Sequence, residues 1–221
     1  MLSDNTLHVC LRLHLAGLVG LLLVLTAEAK VGNSSLLEIC SETEQCLLYD
    51  PICKDNYEVR HYESVKWVST TVKHRFMDMA MVKAFRKLFN YIQGENEAGM
   101  KIEMTTPVLV KIPDKKIFFE ETDYTMSFLL PAEHQMNPPS PTDENVYIHD
   151  TPDMKVYVLS YGGWMMSWID QMKAKKLGEM LDSNKAKYKK GFHYGVGYNS
   201  PMKLLNRHNE VWMVVEDEHV C

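Results

Sequence analysis

Four cysteines, a run of lysines and a scatter of histidines hold most of the chemistry legible in this chain. Cys40, Cys46, Cys53 and Cys221 remain once a leader carrying Cys10 is set aside, and an even set in an exported chain reads as two disulfides. Four cysteines allow three connectivities; the pairing expected here joins Cys40 to Cys46 and Cys53 to Cys221. No C-x2-C pair or nearby histidine cluster supports zinc. His74, His134, His149, His193, His208 and His219 show no ligand spacing. The H-E-x-x-H, G-x-S-x-G, C-x-x-C-H and phosphate-loop patterns are absent. Glu210 beside Trp212 is a carboxylate among aromatics, where a raised pKa would suit acid–base work, but no nucleophile or metal motif accompanies it. The chain is therefore read as a non-enzyme, with Arg207, Asn209 and Glu210 fixing the turn into a closing strand. Lys173, Lys175, Lys176, Lys185, Lys187, Lys189 and Lys190 form the one local excess of positive charge, suited to carboxylates or anionic lipid, although such runs are usually solvated faces.

Composition sets the frame for these residues. The 221 residues are 46% hydrophobic and 24% charged, as in an ordinary globular chain. A formal net charge of -5 gives no pull toward nucleic acid. Arg12 precedes an apolar run, residues 15–25, that is short of the ~20 residues a membrane-spanning helix needs. Ala27-Glu28-Ala29 then supplies a small-x-small cleavage site, so residues 1–29 read as a signal peptide and the chain as secreted, with no later transmembrane segment. Residues 30–56 form a cysteine-containing arm, and Asn33-Ser34-Ser35 is a glycosylation sequon.

The elements that must position the rest follow from periodicity. Residues 57–62 and 66–72 alternate and are rich in β-branched and aromatic types, as strands are. Met81, Ala84, Phe85, Leu88 and Ile92 recur at the spacing of a helix that buries one face; Asp78 opens it and Gly94 stops it. Residues 101–112 read as a strand in which Pro107 marks an edge or bulge, and residues 118–130, alternating well from Thr122, as another. A proline-rich loop, 131–145, divides the chain. The order then recurs: strand 155–161, helix 164–183 with Met165, Ile169, Met172, Leu177, Met180 and Leu181 inward, and strands 192–198 and 210–216. Asn199-Ser200-Pro201-Met202 echoes Thr105-Thr106-Pro107-Val108. The fold class is thus α+β, with tandem β-α-β-β repeats at about 57–130 and 146–217 within a domain spanning 57–221.

The motifs YEVRHYE, KWVST, NYIQGENE, KIEMTTPV, the proline-rich loop before NVYI, YGGW and GYNSPMKLLNRHNEVW occur in one order over about 56–216, and with them the chain closely resembles the SOUL haem-binding proteins. The resemblance implies a distorted eight-stranded antiparallel barrel made of two similar halves and flanked by two long helices. It implies non-covalent binding of haem or another tetrapyrrole, and no established catalysis. His61 stands where an axial iron ligand has been proposed in the family. Val82, Phe85, Phe89 and Asn90 match the family's pocket positions along the first helix, where related binders place Met and basic side chains. The basic ones are missing here, with Lys83, Arg86 and Lys87 nearby as substitutes. The alternative is an extracellular protein-interaction module that keeps the fold without the ligand, its protein partner unidentified by the sequence.

Overall fold

Side chains that alternate across a strand can bury one face only if strands pair, and the pairing here runs across the two halves of the chain. The computed structural model describes residues 30–114 and 120–221; the expected signal peptide, 1–29, and the start of the strand expected near 118 lie outside the described residues. The arm supplies β1 (Val31–Asn33), β2 (Gln45–Leu47) and β3 (Asp50–Lys54). The first half contains β4 (Glu58–Tyr62), β5 (Lys66–His74), α1 (Met77–Ile92), β6 (Val108–Pro113) and β7 (Thr122–Leu129). The second contains β8 (Val146–Asp150), β9 (Met154–Gly162), α2 (Ser167–Ser183), β10 (Phe192–Gly197) and β11 (His208–Val214).

Nine strands form one antiparallel sheet in the order β3-β4-β9-β11-β10-β6-β7-β5-β8, beside a separate β1–β2 ribbon. Each half gives up its first strand: β4 lies on β9 of the second half, and β8 lies on β5 of the first. The unit is therefore β-β-α-β-β, one strand more than the repeat expected from periodicity, and the two units join through β6 and β10. The distorted eight-stranded barrel expected above corresponds here to a nine-stranded antiparallel sheet, in which no ladder among the described residues joins the end strands β3 and β8. The ninth strand, β3, contains Pro51, which belongs on an edge because it cannot donate to a ladder.

α1 packs on β5 and β7, and α2 on β9 and β11. Ala80, Ala84, Leu88, Tyr91 and Ile92 of α1 are buried with Val68, Tyr124 and Phe128, and burying a side chain such as Leu88 contributes about 1.5–3 kcal/mol. Gly94, at φ 121, takes the left-handed turn that ends α1. Ala174, Leu177 and Leu181 of α2 pack with Tyr157, Val211 and Met213. Met172, expected inward, is 52% exposed, because the α2 stripe runs through Asp170, Ala174, Leu177 and Leu181. Asp78 does not cap its own helix. Its carboxylate accepts from the Ser167 amide (3.0 Å) and hydroxyl (2.9 Å), tying the starts of the two helices together.

Pro107 lies just before β6, which is an interior strand rather than the expected edge, so the missing N–H falls outside the ladder. The echo of TTPV in NSPM is not repeat equivalence: the first precedes β6 and the second follows β10. Antiparallel pairing of Val108 with Gly197 nevertheless brings both to the same end of the sheet. Both expected disulfides are present, Cys40–Cys46 with Cα atoms 6.1 Å apart and Cys53–Cys221 with 6.0 Å. They use every cysteine of the described residues and leave no thiolate for zinc.

Candidate functional site

The exposed side of α1 carries apolar residues among its charged ones. Val82 is 58% and Phe89 42% exposed, while Phe85 is half-buried at the rim of the core. Phe85 and Phe89 lie one helical turn apart with ring centroids at 5.8 Å and planes 15° apart, and Phe85 meets Phe128 edge-on at 5.2 Å. The two rings make a flat wall shared by two adjoining cavities of about 540 and 440 Å³. Pro201 also lines both. The larger cavity is completed by Met104, Thr106 and Val108, by Tyr198 to Met202, and by Glu42 to Glu44 of the arm; the smaller one adds Met81, Val82, Arg86 and Met126.

Each wall is fixed by specific bonds. Glu42 accepts from the Ser200 amide (2.6 Å) and Asn199 Nδ2 (3.1 Å) and pairs with Lys203 Nζ (2.9 Å), fastening the arm to the 199–203 loop. Burial pushes the Glu42 carboxyl up, but the Ser200 amide and Lys203 outweigh it and hold the pKa below the usual carboxylate value. The hydroxyls of Thr43 and Thr106 are 2.9 Å apart. Arg207 donates to the carbonyls of Ser200 and Lys203 (both 2.7 Å) and covers the Trp164 ring at 4.4 Å, so the loop is held from behind.

Of the residues named from sequence, the structure brings Val82, Phe85 and Phe89 to this groove and separates the others from it. Asn90 lines neither cavity, and its carbonyl accepts from Gln93 and Glu95 at the helix end. His61 also lines neither cavity. It sits on β4, four places from β6 in the sheet order. Its Nε2 is 3.0 Å from Asp153 and its Nδ1 3.3 Å from Asp50. The Asp153 contact, helped by Asp50 and opposed by burial, raises its pKa and favours the imidazolium. Asn33 is exposed, its Oδ1 accepting from the Ser35 amide at 2.8 Å. The groove walls at 42–44, 103–106 and 198–202 were not apparent from sequence; the NSPM echo was the only signal.

Two buried clusters lie deeper in the fold, the first of them reaching the groove through Tyr198. Glu210, fully buried, accepts from Trp212 Nε1 (2.7 Å), Tyr198 OH (3.0 Å) and Arg60 Nη1 (3.1 Å), with His208 Nε2 at 2.8 Å. Burial alone would raise its pKa, yet His208 and Arg60 bring it below the normal value, so the carboxylate expected to have a raised pKa has a lowered one. Its partners occupy it fully, which suits a structural anion rather than a general acid. Beneath α2, His193 Nε2 lies 2.7 Å from buried Asp170 and its Nδ1 3.8 Å from Asp114, at the edge of a cavity of about 630 Å³. Among the described residues, no three His, Cys, Asp or Glu side chains assemble as a metal site, and no helix is long and apolar enough to cross a membrane.

Known proteins resemble this chain in sequence and in fold. The chain is 40% identical over 163 residues to heme-binding protein 2 of Homo sapiens, covering 74% of this chain and 80% of that one. It is 31% identical over 162 residues to heme-binding protein 1 of Bos taurus, covering 73% and 84%. The crystal structure of the EcmrR C-terminal domain superposes with a TM-score of 0.55 at 11% identity, over 77% of this chain and 99% of that one, a likeness of fold alone. The SOUL heme-binding protein family model matches residues 44–214, and the chain belongs to that family.

Proposed function

We propose that this chain binds haem or a related tetrapyrrole, reversibly and non-covalently, in the groove between α1 and the 199–202 loop. The observation that carries the reading is the stacked Phe85–Phe89 pair lining both adjoining cavities in a chain of the SOUL family. Relatives named heme-binding protein 1 and 2 support it. A macrocycle needs a flat apolar slot, and the cavity volumes fall within the ~300–1,000 Å³ of small-molecule sites. Val82, Phe85 and Phe89 would hold the ring face, and Met81, Met104, Met126 and Met202 are the thioether side chains of the walls. The chemistry the bound group supplies is that of a porphyrin iron; the chain's own part is to wall the ring and exclude water. The role is binding rather than catalysis, since Glu210 is occupied by its own partners.

His61, as the proposed axial ligand, would act on a surface apart from this groove and only after losing a proton and its carboxylate partners. We also propose that the chain is secreted and cleaved before Lys30, with Asn33 glycosylated; the two disulfides and the exposed asparagine support this. Mass spectrometry of the protein exported from cells checks both, by its first residue and by a glycan at Asn33. Titration of the mature protein with hemin tests the function. A Soret shift saturating at one equivalent is expected, weakened about tenfold or more by Phe89→Asp, which places a charge against the ring. Absence of saturation would favour the interaction-module alternative, for which 86%-exposed Met202 and its neighbours Leu204 and Leu205 offer an apolar surface.

A further inference from the structure

The groove is electrically lopsided. The smaller cavity is lined by Arg86, which has no ion pair among the described residues, and its other walls are apolar. The larger cavity carries three carboxylates, Glu42, Glu44 and Glu103. Lys203 neutralises Glu42, whereas the carboxylates of Glu44 and Glu103 have no hydrogen bond or ion pair among the described residues. Between the two ends lie Phe85 and Phe89. A flat amphipathic molecule entering such a slot is sorted by where its own charges sit.

Much of the acidic end comes from the arm. The family match begins at residue 44, so Glu42 and Thr43 lie outside it. The Cys40–Cys46 disulfide closes a short loop that presents Glu42, Thr43 and Glu44 to the cavity, and the bonds from Glu42 to Ser200 and Lys203 hold it there. The arm is thus a built wall of the groove.

We propose that this acidic wall makes the groove selective for tetrapyrroles whose carboxylates lie along a single edge. The uncharged edge of the ring would face the arm, and the carboxylates would face Arg86. A porphyrin with carboxylates on every edge would have to set some of them beside Glu44 and Glu103. At a partly exposed site, like charges a few ångströms apart cost enough to lower affinity by about tenfold or more. The inference rests on the haem-binding reading given above.

The test compares iron protoporphyrin IX (hemin), with carboxylates on one edge, and iron uroporphyrin, with carboxylates on all edges, by Soret titration of the mature protein. The fluorescence of the metal-free porphyrins serves as a second readout. Hemin is expected to bind at least about tenfold more tightly. The double variant Glu44→Gln, Glu103→Gln, which keeps wall size and removes charge, should narrow the gap about threefold or more, chiefly by strengthening uroporphyrin binding. Arg86→Glu should weaken hemin about fivefold. High salt should shrink the gap by screening these exposed charges. Equal affinity for the two porphyrins, or a gap untouched by the double variant, would overturn the selectivity while leaving the groove reading intact. Failure of hemin itself to bind, or binding indifferent to Phe89→Asp, would overturn both.

Discussion

Tyr198 donates its hydroxyl to buried Glu210 at 3.0 Å and also lines the ligand groove, so one side chain joins the internal charge cluster to the candidate site. Burial and the nearby Glu210 carboxylate push the phenol well above its normal range, which keeps it a donor. Tyr198→Phe removes one of several donors and should cost about 1–3 kcal/mol in denaturant melts. Glu210→Ala leaves the buried Arg60 guanidinium with Glu58 as its remaining carboxylate and strips Trp212 and Tyr198 of their acceptor, and should cost about 3–5 kcal/mol. Equal small losses would show the cluster to be dispensable.

His193 links the α2 start, through Asp170, to the end of β6, through Asp114. Burial lowers its pKa, but the Asp114 and Asp170 contacts win and raise it to about 9 from 6.5. The folded chain therefore keeps this proton where the unfolded chain has lost it. The associated stability is full below about pH 6.5 and is lost as pH rises toward 9, a contribution of a few kcal/mol by linkage. Thermal melts from pH 6 to 9.5 should fall steeply for the native protein and less steeply for His193→Gln. Parallel pH profiles would refute the assignment.

The Cys53–Cys221 bond spans 168 positions and ties the edge strand β3 to the final residue. In the chain-entropy model, closure of so long a loop contributes roughly 4 to 5 kcal/mol, and its loss in Cys221→Ser should lower Tm by about 10 °C. A non-reduced digest should give the Cys53–Cys221 and Cys40–Cys46 peptides, and free thiols at those positions would contradict the pairing.

Local periodicity made the elements legible: the α1 stripe of Ala84, Leu88 and Ile92, the β5 run and the Gly94 stop all fall where the pattern places them. What it did not reveal depends on distant pairing. The exchange of β4 and β8 between halves leaves no trace in the alternation of either strand, because a strand's period is the same on any neighbour. Asp78 reads as a helix-starting acid, yet its partner, Ser167, lies 89 residues away. The groove was half visible for the same reason. Phe85 and Phe89 stand out on a helix, whereas Glu42 and Pro201 meet them only because the arm and the β10–β11 loop converge at one end of the sheet.

The iron of hemin is paramagnetic and broadens the NMR signals of nuclei near it, so its position can be read from the protein itself. With labelled mature protein and one equivalent of hemin, broadening is expected at Val82, Phe85, Phe89, Met104 and Met202, while the His61 ring and its strand neighbour Lys155 stay sharp. Broadening centred on His61, with α1 untouched, would contradict the groove as the binding site.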